Sequence, residues 1–241
     1  MIPMFAFLAF VWIGGSYADW YPATYISRVL VVGALLIYFW PQYTRITWDY
    51  WWLGLIVGVI GIFQWVGMQT LLQEWSVTAP LFRPKVTVDP VRLYTLLLQQ
   101  WTITPEWFQF KPVAFSPVER FGDGTWQFWA FVAVRWIVGA VIVVPVMEEL
   151  FWRDFVWRSI AAPADFKLAR IGEPDWKAFF GTAVVFAVVH GNWWLTSIVW
   201  ALMISALLWK TRSIGACIIA HATTNFLLGA YVLYTRDWTY W

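Results

Sequence analysis

TWQFWAFVAVRWIVGAVIVVPVMEELFWR, residues 125–153, is the stretch on which the fold turns. From Thr125 to Met147 it carries a single charge, Arg135. That length suits one crossing of a bilayer, which takes about 20 mostly apolar residues in α-helical form. The run then passes without a break into Glu148, Glu149 and Arg153. Ionisable groups on a spanning helix are costly to desolvate and are kept where they do something. Pro145 removes one backbone donor, so a kink or a division of the helix is expected beside it.

Outward from this stretch the pattern repeats. Hydrophobic residues make up 61% of the 241 and charged residues 12%, against about half and about a quarter in a soluble domain. One water-soluble core cannot hide that much apolar surface, so the surplus faces lipid. Further spans are expected at Met1–Tyr17 (short), Arg28–Trp40, Tyr50–Leu72, Lys177–His190, Trp194–Trp209 and Ser213–Thr235. The expectation is an all-α, polytopic transmembrane helix bundle of seven spans, give or take one. Four glycines in the Tyr50–Leu72 segment suit close helix packing. The 22 tryptophans read as anchors at the two membrane surfaces.

Between the third and fourth spans, Gln73 to Gly124 is rich in charge and proline and reads as extramembrane, with Val91–Trp101 a short interfacial helix. The chain therefore divides into an N-terminal part, 1–124, and a core, 125–241. The Pro163 loop and the Lys210-Thr211-Arg212 turn fall on one side, and both are basic, which favours the cytoplasm. Met1 to Ala18 lacks a basic leader and reads as a retained span. A net charge of +2 suggests no nucleic-acid partner, and the single Cys217 cannot form an intrachain disulfide.

The polar residues in the apolar helices form pairs at helical spacing. Glu149 and Arg153, Phe186 and His190, and His221 and Asn225 are each four residues apart, so each pair shares a face. The chain has two histidines, and both lie in these pairs. Hydrolysis of a peptide needs an activated water, a proton shuttle and donors for the oxyanion. Glu148, His190, His221 and Asn225 could supply that set from three helices. Glu148 and Glu149 point about 100° apart on a helix and cannot share one part. Glu149 is assigned to a structural ion pair with Arg153. Cys217, four residues before His221, reads as a small packing residue, although a Cys–His pair is a nucleophile arrangement in principle. Arg135 is expected to snorkel, to pair with a buried acid or to meet a substrate carboxylate. Asn192 reads as a helix stop.

Glu148-Glu149-Leu150-Phe151-Trp152-Arg153 resembles the EExxxR motif of the CPBP family, the CAAX proteases and bacteriocin-processing enzymes also called Abi proteins. Phe186 to His190 resembles its FxxxH motif and His221 to Asn225 its HxxxN motif, in the family's order. The resemblance covers Thr125 to Thr235. It implies a bundle of about eight helices with an intramembrane polar cavity, and an intramembrane endopeptidase acting on a membrane-associated protein or peptide. Glu148 and His190 would activate water, His221 and Asn225 would form the oxyanion hole, and Glu149, Arg153 and Phe186 would support the site. The preferred scheme needs no cofactor; the alternative places a catalytic zinc on Glu148, His190 and His221. The rival readings are a non-catalytic scaffold or immunity-type member of the family and a proton-coupled transporter. The chain also resembles the bacterial branch found beside exosortase-type sorting systems, which implies an inner-membrane location.

Overall fold

The structure, a computed structural model, describes residues 1–78 and 115–240, and no strand occurs among them. Its main helices are α1 (Ile2–Ser16), α2 (Tyr21–Tyr38), α3 (Trp51–Thr78), the short α4 (Pro117–Phe121), α5 (Trp126–Ala161), α6 (Trp176–Val188), α7 (Trp194–Thr211) and α8 (Ile214–Thr235). Five of them, α2, α3, α5, α7 and α8, are long and apolar enough to cross a membrane, and α1 and α6 are apolar but shorter. The protein is an integral membrane helix bundle. The segment Val91–Trp101 lies outside the described residues.

Large apolar side chains stand outward along these helices, as lipid-facing surfaces require. Leu30, Ile37, Phe63, Val188 and Leu71 are all exposed. Exposed Tyr38, Trp40, Trp48 and Trp51 gather where α2 ends and α3 begins, and exposed Trp12, Trp20, Trp126 and Tyr234 mark the other ends of their helices. These are the positions that amphipathic rings take at headgroup level.

The helix α5 runs from Trp126 to Ala161 without a division at Pro145, contrary to the expectation. The reason lies in its hydrogen-bond register. Ala133–Val143 is wound as π-helix, and the Val144 N–H bonds to Gly139 O, five residues back. Continuing that register would pair Ala140 O with residue 145, which is proline and has no N–H. The freed carbonyl accepts from Asn225 Nδ2 on α8 at 2.8 Å, so the chain goes on helically. A second π-helical stretch, Leu150–Val156, follows the glutamate pair.

Three of the four glycines on α3 do what close packing predicts. A Cβ at Gly54 would stand 2.4 Å from Ala216 O, one at Gly58 2.5 Å from Thr223 Cβ, and one at Gly61 2.5 Å from Thr224 Oγ1, so α3 lies against α8 with almost no side-chain spacer. Gly67 has open space beside it. Thr224 Oγ1 adds a bond to Gly58 O at 3.0 Å. The hairpin between α7 and α8 is closed by Ser213, whose hydroxyl accepts the Ala216 N–H and donates to Thr47 O. The Pro163 loop reaches the same end, since a Cβ on Gly172 would meet Leu208 O and Arg212 Cα. Thus Arg45, Lys167, Arg170, Lys210 and Arg212 share one end of the bundle.

Candidate active site

The middle of α5 brings Glu148, Glu149 and Arg153 into the interior, and all three are buried. Glu149 is fully enclosed and fully engaged. Its Oε2 pairs with Arg153 Nε at 3.1 Å, and its Oε1 accepts from Arg153 at 3.3 Å and from His221 Nδ1 at 2.8 Å. The i, i+4 spacing accounts for the arginine contact. The histidine contact comes from α8, 72 residues away in sequence, and nothing in the local pattern announces it. Glu148, one residue earlier, lies within electrostatic reach of His221, Glu149 and Arg153, with the Trp152 indole beside its carboxylate, and forms no ion pair among the described residues.

His190 follows the last turn of α6. Its Nδ1 lies 2.7 Å from Phe186 O, which as a carbonyl can only accept, so Nδ1 carries the proton and neutral His190 has its lone pair on Nε2. Its ring stacks on Phe186, centroids 4.1 Å apart, so Phe186 holds the imidazole by both carbonyl and ring. His221 donates through Nδ1 to Glu149, which leaves its Nε2 free of that contact. Asn225 stands one turn further along α8, one amide hydrogen committed to Ala140 O and the second left to give.

Aromatic rings wall the cluster. Trp200 of α7 lies edge-on to His221 at 4.7 Å, stacks on Phe186 at 5.4 Å and donates from Nε1 to Thr224. Trp65 of α3 meets His190 edge-on at 6.3 Å. Sequence reasoning missed both, because two rings among 22 tryptophans carry no distinguishing pattern. Cys217 is wholly buried, its thiol against Ile204 O. Arg135 is buried with its guanidinium over the Tyr25 ring at 4.8 Å. The side chain of Asn192 lies outside the described set.

Among the described residues, no group of three or more His, Cys, Asp or Glu could hold a metal ion, the trio Glu148, His190 and His221 included. The donors do not fit a three-ligand site in this arrangement, and no step below runs through a metal.

Two carboxylates, two imidazoles and a guanidinium gathered in the interior of a membrane helix bundle mark a candidate functional site. Residues 127–227 match the family model for type II CAAX prenyl endopeptidase Rce1-like, and the glutamate–histidine cluster lies within the matched stretch. The match supports a membrane protease role at the level of that family. No curated protein and no solved structure matches the chain.

Proposed function

We propose that the protein is an intramembrane endopeptidase that hydrolyses a peptide bond of a membrane-associated protein or peptide, with Glu148, His190, His221 and Asn225 as its catalytic residues. The contrast between the two glutamates supports this reading above all. Glu149 is ion-paired with both Arg153 and His221, whereas Glu148 is buried with no ion pair among the described residues and only the Trp152 indole to bond to. A buried carboxylate without an ion partner is costly and wants a ligand. A water molecule is the ligand that hydrolysis requires.

In this scheme the water bonds to Glu148 and to the Nε2 lone pair of His190. As its oxygen attacks the scissile carbonyl carbon, one proton passes to this pair and is then delivered to the departing amine. The new oxyanion is met by His221 and by the second amide hydrogen of Asn225. His221 Nδ1 already donates to Glu149, so the oxyanion would be met from the Nε2 edge of the ring.

The test compares membranes carrying the wild type with membranes carrying Glu148→Ala, sequencing newly formed peptide N-termini. Termini present only with the wild type are expected. Identical sets from the two would remove the proposal.

A further inference from the structure

A cavity of about 590 Å³ lies at the basic end of the bundle, where α1 begins, α2 ends and α5 leaves the membrane. It stands apart from the glutamate–histidine cluster: Leu150, Asp154 and Arg158 line it from the face of α5 next to the one that bears Glu149 and Arg153. Its lining includes the apolar Ile2, Phe39, Phe155 and Phe166 and the polar Gln42, Tyr43, Asp154 and Lys167.

The polar part of the lining is rigidly built. Asp154 Oδ1 takes Arg158 at 2.5 Å and the Thr44 hydroxyl at 3.1 Å. Arg158 is pinned further by Ala169 O at 2.8 Å and Lys167 O at 3.1 Å. The acid and the guanidinium therefore cancel, and both are buried. These bonds fall on Oδ1, and the second carboxylate oxygen of Asp154 carries no bond among the described residues. Lys167, exposed on the rim, adds a cation. Burial raises the Tyr43 hydroxyl above its ordinary titration range, so it stays a neutral donor.

Depth decides what fills such a space. Exposed Tyr38, Trp40 and Trp48 set this end at headgroup level, where lipid is the most abundant solute. Water gains little against an apolar wall, and an acyl chain gains the burial of its methylenes, about 0.8 kcal/mol each. We infer that this cavity is a phospholipid site selective for an aminophospholipid: the phosphate meets Lys167 and Tyr43, the ammonium donates to the free oxygen of Asp154, and an acyl chain lies against Phe39, Phe155 and Phe166. The site is independent of the hydrolytic reading.

Phosphatidylethanolamine and phosphatidylcholine have the same net charge, but only the first has N–H donors. Native mass spectrometry of the delipidated full chain, supplied with either lipid, is therefore the test. Phosphatidylethanolamine is expected to be retained about tenfold better, the usual worth of a hydrogen bond to a charged group. Gln42→Trp, a change at an exposed loop position that fills the cavity, should abolish retention of both lipids. Lys167→Glu should weaken both while leaving the preference. Equal retention of the two lipids, or retention unchanged in Gln42→Trp, would overturn the assignment.

Discussion

Asn225 Nδ2 donates at 2.8 Å to Ala140 O, the carbonyl that Pro145 leaves without a partner in the π-helical register of α5. One side chain thus repairs a helix and points its remaining amide hydrogen along a fixed direction. Asn225→Ala should then have two separable effects. An orphaned buried carbonyl costs about 1–3 kcal/mol of stability. The lost oxyanion donor lowers turnover by about 100- to 1000-fold. Pro145→Ala supplies a competing N–H at residue 145. In the Asn225→Ala background it should restore the melting temperature and leave turnover low. Recovery of both together would mean that Asn225 acts through the fold alone.

Glu148 and Glu149 should separate in the same way. Glu148→Gln keeps the volume and removes a base, so cleavage should vanish while melting in detergent holds. Glu149→Gln breaks a buried pair with Arg153 and His221 and should cost about 3–5 kcal/mol as well as activity. An unchanged melting temperature in Glu149→Gln would contradict the supporting role given to that residue.

Much of this was legible before any coordinates. Apolar runs of the right length and the ends of most helices follow from composition, because lipid leaves the backbone no alternative to helix. The continuity of α5 through Pro145 was not legible, since a π register leaves no mark in side-chain pattern and the partner of Ala140 lies 85 residues away. The two adjacent glutamates are chemically identical in sequence. Which of them His221 engages is set by how α8 lies on α5, and that is fixed in part by Gly54, Gly58 and Gly61 drawing α3 onto α8.

Cys217 offers a test of mechanism class. Its thiol is wholly buried, with Ile204 O of α7 beside it. Cys217→Ala should retain most activity. A loss as deep as that of Glu148→Gln would favour a thiol nucleophile.

The last prediction concerns His221 and the metal question. In the scheme preferred here His221 is held by Glu149, and its loss removes an oxyanion donor. Turnover of His221→Ala should fall while binding of an uncleaved peptide persists, because the donor acts on the transition state rather than on the bound substrate. In the zinc scheme His221 is a ligand through Nε2, and the same substitution strips metal from the protein. Elemental analysis of the purified wild type, His221→Ala and Asn225→Ala distinguishes the two. An amide is a poor zinc ligand, so Asn225→Ala should leave any bound zinc in place. Stoichiometric zinc in the wild type that disappears with His221 alone would make that residue a ligand and replace the metal-free scheme. Full turnover of the wild type after exhaustive chelation, with His221→Ala still inactive, is the outcome that the Glu149–His221 geometry leads us to expect.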